Sequence, residues 1–248
     1  MNKFPSVISL VIVAMAAISA TGCSGLASDK GGAAPDYQAI VARADRSLED
    51  RKTDERRKPV ELLKFIGAKT GMKALDMGAG GGYTTELLAR SVAPQGTVYA
   101  QNTKPRPAFD ERMQKPAMKN VVAVIRPFDD PVPPEAQGLD LVTMLYIYHD
   151  TTYQKVDRAA MNKRLFDAIK SGGQFVLIDH AAKQGDGTSV GETLHRIEEA
   201  VLRKEVEAAG FQFVAAGDFL RHPEDPRDAP FFKMTTPADE FVLKFTKP

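Results

Sequence analysis

A cluster of glycines after a short apolar segment is the clearest chemical signal in this chain of 248 residues. Residues 72–77 form a predicted strand that carries Asp76 near its end, and the pattern D-x-G-x-G-x-G continues through Gly78, Gly80 and Gly82. Glycine at such positions lets the backbone come close to a ligand, and the N–H groups of the turn lie near the start of the following helix. The pattern therefore predicts a loop that binds a nucleotide-like ligand.

The residues after the last glycine exclude two other phosphate-binding patterns. A P-loop needs Lys followed by Ser or Thr at this point, whereas this chain has Tyr83 and Thr84. The dinucleotide pattern G-x-G-x-x-G, begun at Gly78, needs Gly or Ala where Tyr83 stands. It also lacks the acidic ribose-binding residue expected about 20 residues further on. Of the three patterns, D-x-G-x-G-x-G is the one that fits.

Two pairs of ionisable residues follow later predicted strands. His149 and Asp150 end the fourth strand, and Asp179 and His180 end the fifth. In open α/β sheets these carboxyl ends form the ligand-binding edge, where His and Asp can act as bases toward a nucleophile. Structural alternatives remain, with Asp150 as a helix N-cap and Asp179 as a brace for loop backbone. A metal bound by the four is a further alternative, since imidazole and carboxylate are suitable ligands, but their spacing matches no metal-binding helix motif and no metal is assigned to them.

The rest of the chain alternates predicted helices and strands that bring these residues to one sheet edge. The later strands are residues 97–101, 120–125, 139–146, 174–178, 211–215 and 241–245. Four of the predicted helices are residues 36–48, 59–65, 84–90 and 109–115. A fifth has Met161, Leu165 and Ile169 on one face and ends at Gly172-Gly173. A sixth has Leu194, Ile197 and Val201 on one face and ends at Gly210. Five βα units with apolar strands predict a parallel sheet buried on both faces.

These blocks together resemble the class I S-adenosylmethionine (SAM)-dependent methyltransferases, and among them a group of bacterial predicted methyltransferases with an export signal. The resemblance covers residues 40–248. Besides the glycine motif, its blocks are Arg56-Arg-Lys-Pro59, Tyr148-His-Asp150, Asp157-Arg-Ala-Ala-Met161, Ile178-Asp-His180 and Leu194-His-Arg196. It implies an α/β fold with a Rossmann-like, seven-stranded, mostly parallel sheet, helices on both faces and an antiparallel last strand. It also implies SAM as cofactor and methyl transfer to an unidentified small-molecule acceptor.

The resemblance assigns cofactor contacts to particular residues. In such enzymes the loop at residues 78–82 surrounds the methionine part of SAM, and Asp76 supports that loop and the amino group of the cofactor. An acidic residue after the second strand usually holds the ribose, but this chain has Gln101 and Asn102 there. Asn102 is expected to take that place with uncharged, weaker hydrogen bonds.

Two further assignments concern the adenine and the acceptor. Asp129 or Asp130 matches the residue that contacts the adenine amine, and the alternative is a turn ahead of Pro131. The end of the fourth strand, residues 145–150, lacks the Asn/Asp-Pro-Pro-Tyr signature of methyltransferases that act on bases. Nucleic acid is therefore not an expected substrate.

The remaining expectations from the resemblance and the helix pattern concern the lid and two histidines. Residues 36–66 are expected, by analogy, to form a helical lid over the pocket. His195 is predicted to be a structural histidine on the long helix beside Leu194, and His222 to face solvent in a Pro-rich loop.

The N-terminal segment is predicted to be an export signal. Lys3 precedes an apolar stretch, residues 7–20, that would rise about 21 Å as a helix, too short for a hydrocarbon core of ~30 Å. The stretch ends in Ala20-Thr21-Gly22-Cys23, which resembles a bacterial lipoprotein signal with lipid on Cys23; the alternative is ordinary secretion with an incidental cysteine. Residues 1–22 would be removed, 23–35 would be a flexible tether, and 36–248 the domain, anchored to a membrane in the periplasm.

Composition excludes several classes of protein and leaves one conflict. The chain has 33 basic and 32 acidic side chains and shows no basic stripe, so no polyanionic partner is indicated. Its single Cys excludes an intramolecular disulfide. SAM is made in the cytosol, whereas the signal predicts export. The alternative function is therefore an exported, non-catalytic ligand-binding lipoprotein with a methyltransferase fold.

Overall fold

The computed structural model describes Met1 and residues 32–248. The predicted export signal, Cys23 and most of the predicted tether lie outside the described residues. Within residues 32–248, none of the helices has the length and apolar character needed to cross a membrane.

Seven strands form one sheet in the order β3-β2-β1-β4-β5-β7-β6. They are β1 (Lys73–Met77), β2 (Thr97–Asn102), β3 (Val121–Ile125), β4 (Leu139–Leu145), β5 (Ile169–His180), β6 (Gln212–Gly217) and β7 (Glu240–Thr246). The first five strands pair in parallel, and β7 pairs antiparallel with both β5 and β6. The predicted fold class is therefore confirmed.

Eight helices accompany the sheet in the described part of the chain. They are α1 (Tyr37–Val41), α2 (Leu48–Arg57), α3 (Pro59–Ile66), α4 (Tyr83–Val92), α5 (Pro107–Arg112), α6 (Arg158–Ala168), α7 (Gly191–Leu194) and α8 (Glu199–Ala208). Short 3₁₀ turns lie at Pro116–Met118, Tyr148–Thr152 and Phe231–Lys233.

The central strands are buried on both faces, because neighbouring strand residues point in opposite directions and helices pack on each side. In β1, Leu75 and Met77 pack with α6 and α8 on one face, through residues such as Leu165. Ala74 packs on the other face with α3 and α4, through residues such as Leu63. Apolar residues at nearly every strand position are therefore required by the architecture.

The strand order reverses between β1 and β4, and this places the functional edge. Consecutive strands run outward from β1 through β2 to β3, and the chain then crosses to β4 on the other side of β1. Ligands of open α/β sheets bind in the crevice beyond the carboxyl ends of the strands at such a reversal. The glycine loop and both ionisable pairs follow strands that end at this edge.

Three helix predictions differ from the structure. Asp36 caps the first helix as expected, but that helix ends at Val41. A separate helix, α2, is capped by Ser47 and contains mostly charged residues. Ile169 does not extend α6; its backbone is extended and it pairs with Leu139 as the first residue of β5. Ile169 is buried all the same, so its apolar side chain fits a strand as well as the helix face that the spacing predicted.

The predicted long helix through Leu194, Ile197 and Val201 is also wrong. Helix α7 ends at Leu194, and His195 adopts a left-handed conformation with φ 53°. Ile197 instead forms a bridge with Ala181, and α8 begins only at Glu199. The break places His195 at the end of α7 and not on the face of a long helix.

Candidate functional site

The glycine loop after β1 is held by two amide side chains from the end of β2. Gly78 and Gly80 have φ of 63° and 58°, which glycine adopts without strain. Their N–H groups donate to Gln101 Oε1 and Asn102 Oδ1, each at 2.9 Å. The sequence pattern predicted that these N–H groups would face a ligand. In the structure they donate instead to side chains of the protein itself.

Both amides donate as well as accept a hydrogen bond here. Asn102 Nδ2 donates back to the Gly80 carbonyl oxygen at 3.2 Å, and Gln101 Nε2 donates to the Arg126 carbonyl oxygen at 2.6 Å. The two side chains are buried and join the glycine loop to the segment after β3. A ribose contact by Asn102 remains a prediction, and it would compete with the bonds to Gly80.

Asp76 lies beneath this loop with only 2% of its surface exposed. Its carboxylate accepts hydrogen bonds from Thr85 Oγ1 at 2.6 Å and Thr143 Oγ1 at 2.7 Å. Burial raises the pKa of Asp76 to about 6, although both hydroxyl bonds and the charge of Arg57 act to lower it. Asp76 therefore sits in the structure at a cost in free energy once it is ionised.

This cost is expected to appear in the pH dependence of stability. Because the folded pKa of about 6 lies above the unfolded value, the folded state alone holds this proton between about pH 4 and 6. The contribution of Asp76 to the free energy of unfolding is present below pH 4 and falls by about 3 kcal/mol as the pH rises through 6.

The measurement is urea unfolding from about pH 4 to 7 of the wild type and Asp76→Asn, whose amide can still bond both threonines. The difference between the two free energies of unfolding should change by roughly the predicted 3 kcal/mol over this range. Parallel pH profiles would contradict a raised pKa for Asp76.

A cavity of about 350 Å³, here called the glycine-loop cavity, lies against Asp76 and residues 78–81. Helix α2 lines its opposite side with Glu49, Asp50, Arg56 and Arg57. Tyr146 and Ile147, which follow β4, complete the wall.

Arg112 joins α2 to the glycine loop. Its guanidinium forms a bidentate pair with Asp50 at 2.7 and 2.8 Å, and it also pairs with the buried Glu86 at 2.6 Å. Its Nε donates to the Gly81 carbonyl oxygen at 2.7 Å. One side chain of α5 thereby binds both α2 and the loop.

The two aspartates after β3 have different environments. Asp129 is exposed and lines a separate cavity of about 390 Å³ with Phe128 and Arg126. Asp130 forms ion pairs with Arg126 and Arg164. The segment is also a turn, as the alternative predicted, and Asp129 is the one of the two that faces open space.

The two ionisable pairs are brought together through Asp179. His149 Nδ1 lies 2.6 Å from Asp179 Oδ1, and the backbone N–H groups of His149 and His180 donate to the same carboxylate at 2.8 Å. Asp179 therefore braces the loop backbone, as its structural alternative predicted. Asp150 does not cap the next helix, because Asp157 does so.

His149 is held between two carboxylates. Burial lowers its pKa, but the charge of Asp179 and the hydrogen bonds with Asp150 and Asp179 outweigh burial and raise the pKa to about 10. Asp150 Oδ1 lies 3.1 Å from His149 Nε2. His195, expected on a helix, lies beside this pair, with its ring centroid 5.4 Å from that of His149.

Sequence reasoning missed Tyr146 and Glu240 as site residues. Tyr146 has φ 64°, a strained conformation for a bulky residue, and its hydroxyl donates to Glu240 Oε2 at 2.6 Å. Arg56 donates to Glu240 Oε1 at 3.3 Å, and the Arg57 guanidinium lies 4.5 Å from the Tyr146 ring centroid. Burial and the charge of Glu240 hold the pKa of Tyr146 well above its ordinary value.

A further cavity of about 470 Å³, here called the Phe231 cavity, is also lined by Arg56. Glu240 lines it together with Phe231 and Met234, and Arg56 lines both this cavity and the glycine-loop cavity. His222, predicted to face solvent, also lines it and is half-buried, so its side chain is only partly exposed.

Comparison with known proteins relates this geometry to one fold. No protein-family model matches the chain. Protein-L-isoaspartate O-methyltransferase of Aeropyrum pernix is 39% identical over 66 residues, which are 26% of this chain and 25% of that protein. The chain thus matches about a quarter of the length of this curated relative.

Solved structures match over much more of the chain. A SAM-dependent methyltransferase of Aquifex aeolicus aligns with a TM-score of 0.62 at 20% identity, over 86% of this chain and 100% of that one. A TehB-like SAM-dependent methyltransferase of Corynebacterium glutamicum aligns at 0.53 and 16%, over 81% and 98%. The [4+2]-cyclase SpnF aligns at 0.57 and 15%, over 80% of each chain. The chain therefore has the class I methyltransferase fold.

Proposed function

We propose that this chain is a SAM-dependent methyltransferase that transfers a methyl group to a small-molecule acceptor. SAM would occupy the glycine-loop cavity and the acceptor the Phe231 cavity. The observation that carries the proposal is that one side chain, Arg56, lines both the cavity beside the D-x-G-x-G-x-G loop and a second cavity. Two ligands in such cavities would meet near Arg56, Tyr146 and Glu240.

The residues around the glycine-loop cavity fit the charged end of SAM. Its amino-acid part carries an ammonium and a carboxylate, and the cavity offers Glu49 and Asp76 for the first and Arg57 for the second. Gly80 leaves the space before it open, since the nearest heavy atom of the described residues to a Cβ built there is the Gly78 carbonyl oxygen at 3.9 Å. When bound, SAM supplies a methyl group made electrophilic by its positively charged sulfur.

Helix α2 supports the proposal because it lines the glycine-loop cavity across from the glycine loop. Asp50 pairs with Arg112, and Asp54 accepts a hydrogen bond from the Tyr83 hydroxyl at 2.6 Å. We infer that residues 36–66 act as the lid and exclude water from the site. The adenine end of SAM would extend beyond the glycine-loop cavity to the separate cavity after β3, where the exposed Asp129 would contact its amine.

The acceptor side combines apolar surface with a buried carboxylate. Phe231, Met234 and Leu220 give the Phe231 cavity an apolar wall, and Glu240, 3% exposed, lies at its inner end. Glu240 is positioned to orient an acceptor hydroxyl or amine and to receive its proton. Of the four residues predicted to be catalytic, His180 lies nearest, with its ring stacked on Phe231 at 4.3 Å.

Titration calorimetry of the purified protein with SAM and S-adenosylhomocysteine tests the cofactor assignment. Binding of both with micromolar Kd is expected, as is transfer of labelled methyl from SAM to a compound in a small-molecule mixture. Turnover must be measured because a cyclase shares the fold. A folded protein that binds neither compound would contradict the proposal, and binding with no transfer would favour the non-catalytic alternative.

We also propose that the protein is exported and anchored through lipid on Cys23. The support is the sequence Ala20-Thr21-Gly22-Cys23 after an apolar stretch. Replacing Cys23 with Ser is expected to move the protein from the membrane fraction to the soluble fraction of lysed bacteria. Unchanged membrane association of the Ser variant would contradict a lipid anchor at this residue.

A further inference from the structure

Three side chains outside both cavities converge on one point. His149 Nε2 lies 3.1 Å and His195 Nδ1 lies 3.6 Å from Asp150 Oδ1, and one ligand atom from each residue lies within 4.8 Å of the others. We propose that His149, Asp150 and His195 bind a divalent transition-metal ion, with Zn²⁺ as the expected ion. The proposal does not rest on methyl transfer.

The buried Asp179 prepares His149 for this role. With the Nδ1 proton directed at Asp179 Oδ1, 2.6 Å away, the lone pair of Nε2 points toward Asp150. Metal-binding histidines are typically oriented by a carboxylate behind the ring in this way. Nε2 and the Asp150 oxygen would then be two acceptors at 3.1 Å, an arrangement that requires a cation between them.

A proton on His149 would supply such a cation, but it would not account for His195. His195 ends α7 in the left-handed conformation, φ 53°, that is common at helix C-termini, and its ring is turned toward Asp150. Two imidazoles directed at one carboxylate oxygen are what a metal ion would use. The orientation of the His195 ring thus fits a ligand role.

The position of His195 is set by close packing of its loop. A Cβ on Gly191 would lie 2.1 Å from Thr152 Oγ1, so glycine allows α7 to approach the Tyr148–Thr152 turn that carries the other two residues. On the other side, the buried Arg196 anchors the chain through Asp225 at 2.8 Å. Both segments are therefore held by contacts independent of the three side chains.

The donor set and geometry favour zinc. Tetrahedral zinc with bonds of about 2.0–2.1 Å places its ligand atoms about 3.3 Å apart, between the 3.1 and 3.6 Å that separate the two histidine nitrogens from Asp150 Oδ1. Imidazole nitrogens favour zinc over magnesium or calcium. Three protein ligands leave a fourth position for water, and the His195 side chain, 30% exposed, provides a path from solvent.

The test uses the purified full-length protein, stripped with a chelator and titrated with Zn²⁺, and with Co²⁺ as a spectroscopic probe. We expect one equivalent of Zn²⁺ to bind, and the Co²⁺ form to show the visible absorption of a tetrahedral site. His195→Ala should weaken Zn²⁺ binding at least about 100-fold, and Asp179→Asn about 10–100-fold by releasing His149. His222→Ala, which removes a half-buried histidine outside the cluster, is the control and should bind as the wild type does.

Two outcomes would overturn the proposal. One is a folded wild type that binds no Zn²⁺, which would leave His149 as an imidazolium between two carboxylates. The other is stoichiometric binding that persists unchanged in His195→Ala. If that variant does not fold, His195→Gln replaces it, and loss of the tetrahedral Co²⁺ spectrum is then the expected result. A SAM titration on the same samples separates failure of the metal site from failure of the methyltransferase proposal.

Discussion

Replacing Gly80 with valine is expected to lower the affinity for SAM at least about 100-fold, or roughly 2.7 kcal/mol, while the protein remains folded. The branched side chain would extend into the space next to the loop, where the nearest described heavy atom to a Cβ is 3.9 Å away. The fold is expected to survive because the Cβ itself lies in open space. The left-handed backbone, φ 58°, adds a strain of only about 1–2 kcal/mol.

Gly138→Val is the matched control for this experiment. Gly138 has φ 67°, is exposed, and has no described atom within 4 Å of a built Cβ. It carries the same backbone strain at a position that does not line the glycine-loop cavity. Calorimetric titration and thermal unfolding of both variants distinguish a loss of affinity caused by backbone strain from one caused by a side chain in the SAM cavity. Equal SAM affinities for Gly80→Val and Gly138→Val would place the ligand somewhere other than this loop.

The central strands and the glycine loop could be predicted because their signals are local. Apolar residues bounded by glycine and turn residues mark β1 and β4 without reference to the rest of the chain. The three positive φ values at Gly78, Gly80 and Gly82 likewise follow from residue type. Parallel topology then brings the strand ends to one edge, so the sequence predicts that the site residues share an edge.

Helix ends near residues 169 and 195 could not be predicted from periodicity. Ile169 and Ile197 are buried, as the apolar pattern requires, but in a strand and an isolated bridge. The break before Ile197 accompanies burial of Arg196, whose partner Asp225 lies 29 residues further along the chain. A local pattern contains no information about such a distant partner, and His195 was consequently assigned to a helix face.

The role of Glu240 depends on topology, which local patterns do not encode. Because β7 runs antiparallel to β5, its first residue lies opposite His180 at the carboxyl edge of the sheet. Tyr146 meets it there only because its backbone is left-handed. Gln101 and Asn102 show a related limit, since an amide side chain does not reveal whether it will bind a ribose or a neighbouring loop.

Arg196→Met is expected to reduce the free energy of unfolding by about 3–5 kcal/mol. The Arg196 guanidinium has no exposed surface and pairs with the equally buried Asp225 at 2.8 Å. It also donates to the carbonyl oxygens of Ala181 and Ala229 at 2.9 and 3.0 Å. Methionine fills similar space but leaves a buried carboxylate without its cation and two carbonyl groups without a donor.

Lys163→Met is the control, because it breaks an ion pair with Asp167 in which both side chains are more than half exposed. Its cost should stay below about 0.5 kcal/mol. Urea unfolding of both variants measures the difference, and a loss below about 1 kcal/mol for Arg196→Met would show that Asp225 needs no cation.

Arg196 Nη2 also contacts Met234 Sδ at 3.0 Å, so the same variant should loosen one wall of the Phe231 cavity. Stability and acceptor binding are therefore expected to decline together, whereas SAM affinity, which depends on the glycine-loop cavity, should be largely retained.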